Sequence, residues 1–241
     1  MKNLICNLLI CLGVITSAWA AGDTERARVT ESGFVMQEIL KAPDKGIPKS
    51  ALDGAKCVIV IPSMMRAAFV IGGNYGRGVM TCRTGDDFKG PWSPPVMMAS
   101  GGGSFGFQIG VQATDYVILV MNDRGARDML RNKVKLGADV SAAAGPIGRT
   151  AEASTNGKMT AQMLSYSRTR GVFGGVSLLG ATLRPDKSAD RNLYGKQLSG
   201  EAIINSEGIT MPPEAERLVD TLTAHTSTHE TGHPTGDNKI F

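Results

Sequence analysis

Apolar residues fall along this chain in two rhythms. Over residues 23–40, Ala27, Val29, Phe34, Met36, Ile39 and Leu40 recur at roughly helical spacing. Asp23 and Glu25 stand at the start of that stretch, where the positive end of a helix dipole favours acid. Pro43 and Pro48 interrupt it, and Pro48-Lys49-Ser50-Ala51-Leu52 predicts a short second helix. Then the rhythm changes. Cys57-Val58-Ile59-Val60-Ile61 is a continuous, β-branched apolar run that reads as a buried strand stopped by Pro62, with a helical turn over residues 63–68.

Short strand candidates separated by glycines follow at residues 70–73, 78–83, 96–98, 105–111 and 116–121. In the fourth, Phe105, Phe107, Ile109 and Val111 share one face while Gly106, Gln108 and Gly110 share the other. Met129 and Leu130 among Arg124, Arg127 and Arg131 fit a short helix. Strands return at residues 137–144, 159–168 and 172–178, and residues 212–224 predict a terminal helix with Leu218, Val219 and Leu222 apolar. A run of strands with helices at the N- and C-terminal ends predicts an α+β fold. Its sheet is expected to be Gly-rich, largely antiparallel and barrel-like, because glycines on one face of alternating strands permit close packing and strong coiling.

The first twenty residues follow neither rhythm. A basic start at Lys2, an uncharged stretch over residues 4–15 and an Ala18-x-Ala20 ending read as a secretory signal peptide cleaved after Ala20. That leaves residues 21–224 as a single domain and residues 225–241 as a polar, disordered tail. Removing the leader discards Cys6 and Cys11. Cys57 and Cys82 remain, both in strand-like runs, and are either a disulfide suited to an oxidising compartment or two buried free thiols.

Charge adds an asymmetry. The formal balance is +4, but residues 121–200 carry a net +7 and residues 201–241 a net −5. A basic surface attracts nucleic acid, anionic lipid or an acidic protein, and export removes nucleic acid from that set. No long apolar run survives beyond the leader, which argues against a polytopic membrane protein. Motifs for catalysis lack their context. Gly101-Gly102-Gly103-Ser104-Phe105-Gly106 matches both the dinucleotide fingerprint and the nucleophile elbow, yet each requires a helix afterwards, and here a strand pattern follows. His225, His229 and His233 are spaced by four, but the Thr, Ser, Gly and Pro residues among them disfavour a metal-binding helix. No cofactor or metal is expected, and no enzymatic activity.

The wording of the middle of the chain is more informative than any of these motifs. Pro62-Ser63-Met64-Met65-Arg66-Ala67-Ala68-Phe69-Val70-Ile71-Gly72-Gly73, Tyr75-Gly76-Arg77-Gly78-Val79 and Trp92-Ser93-Pro94-Pro95 resemble the SYLF lipid-binding domain family, also called the yeast-type actin-binding SYLF domain. The likeness continues through Gly102-Gly103-Ser104-Phe105-Gly106-Phe107-Gln108-Ile109-Gly110-Val111-Gln112-Ala113-Thr114-Asp115, Lys135-Leu136-Gly137-Ala138-Asp139 and Ala144-Gly145-Pro146-Ile147-Gly148-Arg149. It closes on Ser165-Tyr166-Ser167-Arg168-Thr169-Arg170-Gly171-Val172-Phe173-Gly174-Gly175-Val176-Ser177-Leu178, so that it covers residues 51–195. Several blocks in order are far more specific than a single glycine motif. Eukaryotic members bind phosphoinositides and actin, which an exported, bacterial-looking copy would not meet. What the resemblance implies here is binding of anionic phospholipid, without a catalytic residue set.

The charges suit that implication. Lys133, Lys135, Arg149, Lys158, Arg168 and Arg170 are the candidate lipid-binding residues, each worth on the order of 1 kcal/mol near an anionic bilayer. The helix over residues 23–40 either adds an apolar face at the interface or packs against the sheet. The expectation is an exported bacterial protein, periplasmic or peripherally membrane-associated, that binds anionic phospholipid at a membrane surface. The alternatives are a structural module of the cell envelope with an acidic protein partner and, more distantly, an esterase using Ser104.

Overall fold

The structure, a computed structural model, describes residues 2–42, 46–69, 71–105, 110–147, 161–169, 172–176, 178–205 and 208–227. It opens with a long helix α1 (Lys2–Lys41) and a short α2 (Lys49–Asp53). A long hairpin of β1 (Cys57–Phe69) and β2 (Ile71–Cys82) follows, flanked in the sheet by β3 (Val96–Phe105) on the β2 side and β4 (Gly110–Val120) on the β1 side. Helix α3 (Asp123–Arg131) leads to β5 (Val134–Lys135), β6 (Ala142–Ala144), β7 (Met163–Thr169), β8 (Val172–Gly175) and β9 (Thr182–Pro185). Helices α4 (Lys187–Tyr194), α5 (Gly200–Ile204) and α6 (Pro213–His225) complete the chain. One curled, mostly antiparallel sheet runs β5-β9-β3-β2-β1-β4-β7-β6, with β8 also on β7 and, among the described strands, the β6–β7 pair parallel. The α+β, largely antiparallel expectation is what forms.

Both faces of the sheet are covered over its first half. On one face Val58, Val60, Val79, Met97, Val117, Leu119 and Leu164 pack against α1, α2, α4 and α6 through Met36, Ile39, Leu52, Leu193, Leu218 and Leu222. On the other, Ile59, Met80, Met98, Ile118, Val120 and Met163 pack against α3 and α5 through Met129, Leu130, Ile203 and Ile204. Burial on both sides explains why the strands here read as unbroken apolar runs instead of alternating ones.

Three local expectations are corrected. Residues 63–68 are not a helical turn: β1 passes straight over Pro62 on a bulge, with the register shifting between Ile61 and Met64 against β4. The bulge absorbs a residue with no N–H, and the next N–H, from Ser63 at φ +48°, donates to Asp115 Oδ1 at 2.8 Å. The separate strands at 70–73 and 78–83 are one strand, β2, whose internal glycines do not break it. Most of the strand expected at 137–144 is a turn in which Asp139 Oδ2 accepts from Lys135 N at 2.6 Å, leaving only β6. The alternating stretch at 105–111 falls largely outside the described residues.

Candidate functional site

Helix α1 lies across the sheet and stops being a cover at a definable row. Its Glu25 approaches Arg77 of β2 at 3.9 Å, and its Glu38 pairs with Arg168 of β7. Tyr75 lies two residues along β2 from Arg77, on the same face. Its register partners extend a row across six strands: Ala113, Met65, Tyr75, Gly101, Thr182 and Lys135. Residues directly opposite each other point to one face, so this row presents its side chains together over about 24 Å of sheet. Nothing among the described residues covers it: Tyr75 is 55% exposed and Met65 46%.

At the Lys135 end the row opens into a cleft of about 610 Å³. The backbone of Gly101, Gly102 and Gly103 forms one wall, and Lys133, Lys135, Asp139 and Thr182 the other. Local sequence sets this up. Val134 is buried in the core and Lys135 follows it on the opposite side of β5, while Lys133, just before the strand, lines the same cleft. The turn before β9 is tied to them by Gly180 N donating to Leu136 O and Leu136 N to Ala181 O, each at 2.9 Å. That turn leaves Leu179 64% exposed against Gly137, two residues along the chain from Lys135. Among the described residues neither lysine ammonium forms an ion pair, although Asp139 Oδ2 accepts from the Lys135 backbone N. The exposed apolar and cationic groups therefore lie on one continuous surface.

Under the helices the charges are tied up instead. Arg77 Nε donates to Tyr75 Oη at 2.6 Å and lies 3.4 Å from Asp186 Oδ2, while Glu25 also pairs with Arg28. Burial holds the Arg28 guanidinium below its ordinary range, with Arg77 adding to the effect. Burial also pushes the Asp190 carboxyl up to about 7, opposed by the Met97 N–H it accepts and aided by the Asp186 charge. Asp115 is raised by burial as well, against the hydrogen bond from Ser63.

The six candidate cations are thus placed differently. Lys133 and Lys135 share the cleft. Arg168 is half-buried several strands away, where its Nε donates to Asp115 Oδ2 at 2.8 Å and it also pairs with Glu38. Arg149, Lys158 and Arg170 lie outside the described residues. Cys57 and Cys82 are directly opposite in the β1–β2 register and are joined in a disulfide. His225 ends α6 with Nδ1 2.8 Å from Thr221 O, and His229 and His233 lie outside the described residues. Gly101, Gly102 and Gly103 run within strand β3, and the next described residues, from Gly110, are strand β4 and not the helix that a dinucleotide fingerprint or a nucleophile elbow requires. Sequence reasoning missed Tyr75, Met65, Leu179 and Thr182, because their association depends on strand register.

Comparison with known proteins places this architecture. Residues 101–225 match the family described as Ysc84, Las17-binding protein actin regulator. An SH3 domain-containing protein of Schizosaccharomyces pombe is 35% identical over 179 residues, covering 73% of this chain and 40% of its own length. Protein YSC84 of Saccharomyces cerevisiae is 30% identical over 203 residues, 83% of this chain and 42% of its own. The human SH3 domain-containing YSC84-like protein 1 is 31% identical over 189 residues, 78% of this chain and 54% of its own. The chain therefore spans about half or less of the length of these relatives.

Proposed function

This chain belongs to the Ysc84 (SYLF) family, and from that premise we propose that it is a non-catalytic module attaching peripherally to anionic phospholipid. One observation carries the reading: a single register row joins exposed Tyr75 and Met65 to Lys135, with Lys133 and Leu179 beside it. Apolar side chains of this size contribute roughly 1.5–3 kcal/mol when fully buried, and each lysine near anionic headgroups on the order of 1 kcal/mol. Starting half exposed, three apolar and two basic side chains supply attachment of a few kcal/mol, which is reversible and salt-sensitive. Among the described residues no helix is long and apolar enough to cross a membrane, so attachment through this surface needs no spanning element among them.

Export belongs to the same proposal. The buried Cys57–Cys82 disulfide suits an oxidising compartment, in keeping with a leader over residues 1–20. Intact-mass analysis of the secreted fraction is expected to give a chain starting at Ala21 whose two cysteines resist alkylation until reduced.

Flotation with vesicles tests the lipid reading. Binding is expected with phosphatidylcholine vesicles containing phosphatidylglycerol, to weaken as salt rises, and to be absent with phosphatidylcholine alone. Equal flotation with both compositions, or none with either, overturns it. The family's description as Las17-binding favours a second reading, a protein partner with an acidic face meeting the same lysines. Salt-sensitive capture of such a partner without vesicles, and no flotation, is its signature.

A further inference from the structure

We propose that the notch where β9 leaves β3 is a seat for one phosphate group. The inference rests on the phospholipid reading for the source of that phosphate, and adds that the headgroup is held at a discrete point.

The notch comes from unequal strand lengths. β9 pairs with β3 only from Met98 to Gly101, whereas β2 accompanies β3 all the way to Phe105. On the side away from β2, residues 102–105 therefore have no strand neighbour among the described residues, and the cleft occupies that side. An antiparallel strand aims its N–H and C=O groups at both neighbours, and an unpaired edge leaves one set free.

The glycines make that edge reachable. A Cβ built on Gly103 meets nothing within 4 Å, and one on Gly101 meets only Asn74 O at 3.7 Å, so packing does not demand glycine at either position. Glycine inside a strand costs about 0.5–1 kcal/mol relative to alanine. Close approach of a ligand to bare backbone is a use that offsets such a cost. Between them, Gly102 is crowded, with Ala181 Cα and Gly180 O both at 3.3 Å from its built Cβ, which fixes the β9 turn against the edge.

The opposite wall selects the ligand. Lys133 and Lys135 bring two ammonium groups and Asp139 one carboxylate, which is held on Lys135 N at 2.6 Å. Thr182 Oγ1 already donates to Gly101 O and is not counted. A net single positive charge, two ammonium groups, the Gly103 N–H on the unpaired edge and an open mouth match a small anion with acceptors on several sides. A phosphate has that form, whether on a lipid headgroup or free in solution.

Amide NMR of the mature, disulfide-bonded chain tests the seat, with inorganic phosphate titrated against chloride at matched ionic strength. Phosphate is expected to shift the Gly103 and Lys135 amides saturably. Lys133→Gln and Lys135→Gln should each weaken binding about five-fold, and Asp139→Asn should tighten it by a similar factor. Gly103→Val should abolish it, since its side chain enters the cleft from a position the fold leaves open. Shifts that chloride reproduces, or that survive Gly103→Val in a folded protein, overturn the seat. If flotation on phosphatidylglycerol vesicles then persists, the lipid reading stands without it. Saturable phosphate binding without flotation establishes the seat and points to free phosphate as its ligand, and loss of both overturns seat and lipid reading together.

Discussion

Two pairs of glycines within a few residues of each other occupy opposite situations. On β2, Gly78 lies so close to the β1 bulge that an added Cβ would stand 2.0 Å from Val60 O and 2.8 Å from Ile61 Cα. Gly76 would meet Ile61 Cγ2 at 2.7 Å. Five residues from Gly78, Gly73 would meet only Gly102 O at 3.8 Å, and its register partner Gly103 nothing at all. One residue type in one hairpin system thus answers two demands. Against the β1 bulge glycine makes room for neighbouring backbone; further along the strands, on the opposite face, it leaves backbone bare.

The comparison is sharpest where it can be broken. Gly78→Ala is expected to cost about 3 kcal/mol or more, because the obstructing atoms are backbone and have nowhere to go. Urea denaturation measures this, and a loss below about 1 kcal/mol would mean that the covered end is not tightly packed. Asp190 probes the same end by pH. Its folded pKa of about 7 lies above the ordinary 3.8, so the folded state keeps a proton that the unfolded chain has released. Stability therefore falls as pH rises from about 4 to about 7 and does not recover above. Asp190→Asn, which keeps an acceptor for Met97 N, should be more stable than the parent by ~2 kcal/mol at pH 8 and equal to it near pH 4. Parallel stability curves for the two proteins would show that this carboxyl is not desolvated.

The uncovered end should respond in binding and not in folding. Replacing Met65 and Tyr75 together by Ser is expected to lower partitioning onto anionic vesicles about ten-fold, through lost apolar area. An unchanged partition coefficient would leave the lysines alone as the contact. The smallest effect is expected at Gly103→Val, which should alter stability by less than about 0.5 kcal/mol, as at an open surface strand position. A large loss there would mean that Gly103 belongs with Gly78 and that the surface is covered after all.

Much of the architecture was legible beforehand because it follows from periodicity. The helical spacing of Val29, Met36 and Ile39 and the unbroken run from Cys57 to Ile61 each reflect a face or faces that must be buried. The bulge at Pro62 was not legible, since a proline ends a strand unless a distant group, here Asp115, satisfies the N–H that follows. Helices α4 and α5 carry capping residues, Asp186 and Ser199, that apolar periodicity does not reveal: Asp186 Oδ1 accepts from Ala189 N at 3.3 Å, and Ser199 Oγ from Ala202 N at 3.1 Å. At the site, the alternation Lys133-Val134-Lys135 was present in the sequence, but without register it had no neighbours.

By itself the sequence determined the class of fold, the family and an excess of positive charge in residues 121–200, because each is a property of residue identity and spacing along one chain. Tertiary structure alone decided which of those charges meet a carboxylate among the described residues. Asp115 and Glu38 neutralise Arg168 from β4 and α1, whereas β9 stops at Gly101 and leaves Lys133 and Lys135 facing an open edge. Coulomb attraction depends on distance in space, and that distance is set by strand pairing between residues far apart in the chain.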